Sequence, residues 1–381
     1  MISIRCSNCG KAYPPDGAPE RCVVCGGIYD LTELPLIEPS SEKDPSKGIW
    51  NYLQAEAFGK AQTIVTLGEG FTPLLWARVE RENGEPIEVG FKCEHLNPSG
   101  SFKDRGSAAC VQFLISRGIV TIYEDSSGNA GASIAAYAAR AGLKTHIYVP
   151  ARASGVKKEQ MLRVGATLHP IEGPRSAVTD VLRRDLQAQA SQSTCYASHA
   201  AMPFNLAGYA TLAIELYEQM GSAPGSILLP VGQGGLLLGV AMGFEWLKAQ
   251  NKIDTLPQIF GVQARACAPL WAVSSYGAAG LGWVTEGETI AEGIRIKYPL
   301  RGDAVLQAVE RSGGAFFVVD EDEIIEGMKI AARMGLMIEA TSAVVFPILS
   351  KNGHTMKQPL VAILTGSGYK SLEVYEATYT H

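Results

Sequence analysis

The chain has 381 residues, 46% hydrophobic and 19% charged, which supplies a large core and excludes a mainly disordered polymer. With 33 Lys and Arg against 38 Asp and Glu the net charge is −5, whereas a dedicated nucleic-acid binder would carry a basic excess. Length predicts two or three domains, and the 41 glycines predict many tight loops.

The first feature along the chain is a C-x2-C-x12-C-x2-C pattern made by Cys6, Cys9, Cys22 and Cys25. Gly10 and Gly26 follow the two pairs and let the backbone close around thiolates. Four soft ligands at this spacing suit tetrahedral Zn2+ and predict a zinc ribbon over residues 1–30. Only Arg5, Lys11 and Arg21 are basic there, so the ribbon reads as a structural cap and not as a nucleic-acid reader. No basic segment followed by an apolar one opens the chain, so no secretory signal is expected and the expected location is cytoplasmic. Cys93, Cys110, Cys195 and Cys267 share no spacing and read as small core residues.

Residues 31–60 read as a linker running into a helix near Trp50 to Phe58. Beyond residue 87 strands and helices alternate. Strands are predicted at Ile87–Lys92, Val120–Asp125, Thr145–Val149, Thr167–Ile171, Cys195–Ala197, Ser226–Val231, Gln258–Val262, Gly314–Val319 and Leu360–Leu364. Helices are predicted at Ser107–Arg117, Ala132–Ala141, Lys157–Val164 and Ser176–Ala190. That alternation means crossover units, parallel sheets and an α/β class. The uncharged stretch Gly221–Phe244 is broken by glycine and proline, so it reads as a buried strand, a glycine loop and a buried helix, not as a membrane span.

Ligands in parallel sheets sit beyond the carboxyl ends of strands, which directs attention to four loops. In Asn97–Gly106, Lys103 stands just before a helix, where the macrodipole and desolvation would depress its amine pKa. Residue physics leaves a Schiff-base lysine and an ordinary surface lysine both open. The loop Asp125–Ser133 offers small polar side chains and amides at a helix start, either an anion pocket or a simple cap. Pro230–Gly239 has glycines that let amides converge on a phosphate, but lacks the lysine and hydroxyl of a nucleotide P-loop. Leu364–Lys370 places hydroxyls on a tight glycine turn.

The order of these loops resembles that of fold-type II pyridoxal-phosphate enzymes, and within them the threonine synthase family. Glu94-His95-Leu96-Asn97-Pro98-Ser99-Gly100-Ser101-Phe102-Lys103-Asp104-Arg105 is similar to the family's lysine motif. Leu67-Gly68-Glu69-Gly70-Phe71-Thr72-Pro73-Leu74 and Thr365-Gly366-Ser367-Gly368-Tyr369-Lys370 resemble two further family motifs, and some members begin with a similar ribbon. The resemblance implies two open twisted α/β domains with the cofactor between them, plus the small N-terminal zinc ribbon. Residues 31–106 with 205–381 would form the large cofactor-binding domain and 107–204 the small substrate-binding domain. A homodimer acting on a small amino-acid substrate is expected, with pyridoxal 5'-phosphate and Zn2+ as cofactors and neither nucleic acid nor membrane as partner.

It also implies roles. Lys103 would hold the cofactor covalently and act as acid and base on Cα and Cβ. Asn129 would hydrogen-bond the phenolic oxygen. Gly232, Gln233, Gly234, Gly235 and Leu236 would bind the phosphate through amides, and Thr365 would meet the pyridine nitrogen. Ser126, Ser127 and Ala130 would hold the substrate carboxylate. Thr289–Gly293 resembles the segment facing the ring. The chain departs from the family in its Gly-Gln-Gly-Gly-Leu-Leu phosphate loop, closer to dehydratases and cysteine synthases. It departs again at Pro203–Thr211, where many threonine synthases carry an Arg. Arg105, Arg152, Lys157 and Lys158 are the candidate partners of a substrate phosphate, and His199 and Asn205 would suit a smaller or neutral leaving group. The expected reaction is O-phospho-L-homoserine and water giving L-threonine and phosphate. The alternative is β-replacement or β-elimination on a serine derivative, of the cysteate synthase, cysteine synthase or diaminopropionate ammonia-lyase type. A non-catalytic scaffold carrying a ribbon is the reading from another class.

Overall fold

The computed structural model describes residues 2–39, 42–60, 63–153, 155–173, 175–188 and 191–379. The strands are β1 Ile4–Cys6, β2 Tyr29–Leu31, β3 Leu74–Val79, β4 Ile87–Lys92, β5 Thr121–Glu124, β6 Lys144–Pro150, β7 Thr167–Ile171, β8 Thr194–Tyr196, β9 Ser226–Pro230, β10 Gln258–Ala264, β11 Phe316–Val319 and β12 Leu360–Ile363. The helices that matter below are α1 Lys103–Ser116, α2 Asn129–Arg140, α3 Val156–Arg163, α4 Arg175–Ala188, α5 Phe204–Met220 and α6 Gly235–Ala249. Every strand and helix predicted from residue 87 onward is present, within a few residues at each end. The expected end of α4, Gln189 and Ala190, lies outside the described residues.

The chain forms two compact units. The first comprises residues 1–71, 97–99 and 103–211, the second 72–96, 100–102 and 212–381. Residues 31–71, 97–99, 103–106 and 205–211 fall in the first unit.

The first unit holds a parallel sheet in the order β7-β6-β5-β8. Its β-branched and aromatic side chains serve both faces. Ile147 and Val149 pack with Ala132, Ala135 and Met161 on one side. Tyr123, Tyr148 and Tyr196 pack with Val178 and Leu182 on the other. Two-sided burial is what makes short apolar runs into parallel strands. The ribbon pair β1–β2 is antiparallel and belongs to this unit.

The second unit holds six strands in the order β11-β10-β9-β12-β4-β3. All pairs are parallel except β3 against β4. β9 and β12 are buried along their whole length, which fixes the sheet centre and places the loops after them at its carboxyl edge. β3 escapes sequence reasoning because it is an edge strand whose side chains are mostly exposed, so no apolar alternation marks it.

The helix expected near Trp50 is instead two 3-10 turns, Pro45–Asn51 and Ala55–Phe58. Gly48 interrupts the first at φ 55° and ψ −135°, a conformation that no α-helix continues. Among the described residues no helix is long and apolar enough to cross a membrane.

Candidate active site

α1 begins at Lys103, four residues earlier than the apolar periodicity suggests, so the lysine is the first helical residue. Its neighbours explain the early start. Asp104 is fully buried and accepts from Ser99 N (2.6 Å), Ser99 Oγ and Ser133 Oγ (2.6 Å). Asp104 thereby ties the preceding Ser99 loop and α2 to the first turn of α1, and a carboxylate there complements the macrodipole. Arg105 is also fully buried, its Nη1 donating to Thr211 Oγ1 (3.1 Å) on α5. α1 and α5 cross at glycine: a Cβ on Gly208 would overlap the Arg105 carbonyl, and one on Gly106 would lie 2.6 Å from the Tyr209 ring. Lys103, half-buried, therefore stands on a helix start locked at three successive residues.

α2 likewise starts earlier than expected, at Asn129. Ser126 Oγ accepts from Gly128 N (3.3 Å), and a Cβ on Gly131 would overlap the Ser126 carbonyl oxygen. Ser126, Ser127, Asn129 and Ala130 are thus wrapped tightly onto the amino end of α2, where the macrodipole favours an anion. Glu69, from the Leu67–Leu74 motif, reaches the same helix: its Oε2 accepts from Tyr137 OH (2.8 Å), Leu67 N (3.0 Å) and Thr66 Oγ1 (3.0 Å). Burial raises its carboxyl pKa, although these donors oppose the rise.

In the second unit the loop after β9 runs Val231-Gly232-Gln233-Gly234 into α6. Gly234 has φ 80°, and a Cβ there would overlap Val305. A Cβ on Gly232 would lie 3.0 Å from Gly293 O, so Thr289–Gly293 runs against this loop. Side chains are excluded and the amides at the start of α6 stay bare, a cradle that suits a phosphate. The Gln233 side chain is turned elsewhere, Oε1 accepting from Leu300 N (3.1 Å).

After β12, Thr365 is buried and its Oγ1 lies 2.9 Å from Ser342 Oγ. Ser342 also accepts from Thr365 N (2.8 Å) and Gly366 N (3.0 Å). Phe102 N donates to Thr365 O (3.0 Å) and Ser367 N to Gly100 O (3.0 Å). Thr365 therefore presents a neutral hydroxyl at this strand end, while the buried Glu339 carboxylate packs against Gly366. The cradle and the hydroxyl pair fit pyridoxal phosphate.

The protein family described as pyridoxal-phosphate dependent enzyme matches residues 65–366. The chain belongs to that family. Over 380 residues it is 32% identical to the threonine synthase of Methanocaldococcus jannaschii, covering 96% of this chain and 92% of that protein. It is 34% identical over 313 residues to the threonine synthase of Synechocystis, covering 81% and 78%. It is thus a threonine synthase-like, pyridoxal-phosphate-dependent lyase. Its architecture is shared with maize serine racemase (TM-score 0.64, 21% identity, 77% of this chain and 87% of that one). It is also shared with an L-serine ammonia-lyase from Rhizomucor miehei (TM-score 0.66, 21% identity, 81% and 97%).

Sequence reasoning missed Ser342, which sits in the small-residue run Ala340–Ala343 and reaches Thr365 only through the fold. It also missed the buried cluster that fixes Thr72. Thr72 Oγ1 donates to Glu94 Oε1 (2.6 Å), and Lys92 Nζ donates to Thr72 O (2.7 Å) and Gln219 Oε1 (2.9 Å) while pairing with Glu215. Of the expected phosphate partners, Arg105 is held between α1 and α5; Asn205, expected to suit a smaller or neutral leaving group, donates to main-chain carbonyls.

In this threonine synthase-like chain Gly131→Ala is expected to push the serine loop off α2. Overpacking against backbone costs about 1–3 kcal/mol. The melting temperature should fall and the amino-acid KM should rise, while cofactor absorbance per chain stays unchanged. An unaltered KM would show that the loop does not hold substrate.

In the ribbon, Cys6 and Cys25 Sγ lie 3.5 Å apart and Cys9 and Cys22 Sγ 3.7 Å apart. A tetrahedron with metal–sulfur bonds of about 2.3 Å has edges of about 3.8 Å, so the donor set fits zinc. Burial opposes ionisation of Cys22, but the Val24 and Cys25 amides outweigh it and bring the thiol down to about 6. The Gly27 amide and Asn8 lower Cys25 as well. Gly10 and Gly26 take φ of 70° and 72°, as the tight turns around thiolates require.

Proposed function

We propose that the chain converts O-phospho-L-homoserine and water to L-threonine and phosphate. The observation that carries this is likeness to threonine synthases along nearly the whole chain, supported by a lysine locked onto a helix start. Lys103 holds pyridoxal 5'-phosphate through its amine and moves protons at substrate Cα and Cβ. Asn129 donates to the phenolic oxygen. The amides of Gly232, Gln233, Gly234, Gly235 and Leu236 hold the phosphate group. Thr365, kept in place by Ser342, meets the pyridine nitrogen. Ser126, Ser127 and the amide of Ala130 orient the substrate carboxylate.

The bound cofactor supplies an electron sink for charge at Cα. A hydroxyl at the ring nitrogen leaves that nitrogen less protonated, which favours elimination and replacement over transamination. Zn2+ on Cys6, Cys9, Cys22 and Cys25 is part of the same reading, as are a homodimer and a cytoplasmic location.

A second reading, β-replacement or β-elimination on a serine derivative, is favoured by one observation. Arg105, the cation nearest the lysine in sequence, is fully buried. A substrate panel decides. Threonine and inorganic phosphate formed from O-phosphohomoserine are expected. Turnover of O-phosphoserine or O-acetylserine alone would replace the first reading with the second.

A further inference from the structure

β5 and β8 are parallel neighbours, with Tyr123 opposite Tyr196, so the loops beyond their carboxyl ends run side by side. The first is the serine loop that starts at Asp125. The second carries Ala197, Ser198 and His199, and Ala197 N donates to Tyr123 O (2.8 Å). His199 is bound twice by Glu124, the last residue of β5. Its N donates to Oε2 (3.2 Å), and its Nδ1 lies 2.8 Å from Oε1. Asn205 Nδ2 donates to His199 O (3.2 Å) and holds the loop's main chain.

Glu124 is fully buried, and both its oxygens serve one residue. With the Glu124 carboxylate as acceptor, Nδ1 is the donor of this pair and Nε2 is turned away from it. Nε2, on the far side of the ring, makes no hydrogen bond among the described residues. The imidazole keeps 21% exposure, whereas Glu124, Asp125, Ser198 and Asn205 are each 5% exposed or less. Burying a carboxylate to aim an exposed imidazole is costly unless the ring has work to do.

We propose that His199, oriented by Glu124, reads the leaving-group end of the substrate, its Nε2 sharing a proton with a phosphate oxygen. The identity of that group rests on the proposed reaction, whereas the placement of the pair beside the serine loop does not. Glu124 and Asp125 make the neighbourhood negative, so a bare phosphate dianion is repelled there. A proton held between imidazole and phosphate removes the repulsion. Sulfate carries no such proton near neutrality and should be discriminated against. His199 makes and breaks no covalent bond with substrate; it is a specificity residue.

The test uses the holoenzyme and His199→Asn, with calorimetric titration of inorganic phosphate, sulfate and L-2-aminobutyrate, which lacks a leaving group. The variant should bind phosphate about 10–100-fold more weakly, the worth of a hydrogen bond to a charged group. Sulfate and aminobutyrate affinities should change less than about twofold, within the spread of a surface substitution. With O-phosphohomoserine the loss should appear in KM while kcat is nearly kept. Glu124→Gln, which retains an acceptor for Nδ1–H, should lose less phosphate affinity than Glu124→Ala. Equal weakening of all three ligands, or no weakening of phosphate, overturns the proposal. If the wild type fails to turn over O-phosphohomoserine, the reaction is wrong, and the three titrations still decide the role of His199.

Discussion

Lys103→Ala is expected to abolish turnover while the fold survives. The two halves of that expectation have separate grounds. The helix start does not depend on the amine. Asp104 is held by Ser99 and Ser133, Arg105 by Thr211, and the α1–α5 crossing by Gly106 and Gly208. Alanine is the better helix former, and a cation at a helix amino end opposes the macrodipole. The stability change should therefore stay within about 1 kcal/mol. Activity, by contrast, loses the covalent anchor and the proton carrier in one substitution. General acid–base transfer alone contributes about 10²–10⁴-fold. Wild-type protein should be yellow and, after borohydride, carry the cofactor irreversibly on Lys103. The variant should show neither property. Residual activity above about 1%, or borohydride labelling elsewhere, would place the base on another residue.

The legible part of the site consists of residues whose type is unusual for their local setting. Lys103 at a helix start, bare glycines after a uniformly buried strand, and Thr-Gly-Ser-Gly after another each conflict with ordinary propensity, and such conflicts mark function. The alternation of apolar runs with helical periods likewise made the parallel sheets readable. What escaped depends on contacts distant in sequence. Ser342 looks like any small residue of a short helix, and only the fold brings it to Thr365, 23 positions away. Glu124 looks like a strand terminus, and its partner His199 lies 75 positions on. The early starts of α1 and α2 escaped because periodicity marks the buried face of a helix, whereas the first turn is set by local ties and close approach, here Asp104 to Ser99 and Gly131 to Ser126. The helix expected from Trp50 to Phe58 fails for the same reason: Leu53 pairs with the distant Leu36 and Gln54 takes extended backbone at φ −72° and ψ 100°.

Removing the ribbon metal is expected to weaken the first unit as a whole, not only the ribbon. Its two three-residue strands bury little beyond Ile4, Tyr29 and Leu31, too little to fold unaided. Yet the segment between the cysteine pairs packs on α1, which carries Lys103, on the start of α5 and on β8. The Tyr13 ring meets Phe113 of α1 edge-on at 5.8 Å and Phe204 of α5 at 5.7 Å. Phe113 and Phe204 stack on each other at 3.6 Å. Arg117 Nη1 donates to Pro14 O (3.2 Å) and Cys195 Sγ to Ala18 O (3.0 Å). Burial also pushes the Tyr13 phenol well above its ordinary pKa, although the side chain is only half-buried. When the thiolates lose their common ligand, this segment lets go and the aromatic pair is exposed. A buried aromatic side chain is worth about 1.5–3 kcal/mol, which for a unit of this size is a fall of about 3–12 °C in melting temperature. Chelation should produce that fall together with loss of activity in proportion to unfolding. Tyr13→Ala should produce much of it with one zinc per chain still bound, since the substitution spares the cysteines. If chelated protein keeps its melting temperature and turnover, the ribbon is an appendage and the Tyr13 contact carries no stability.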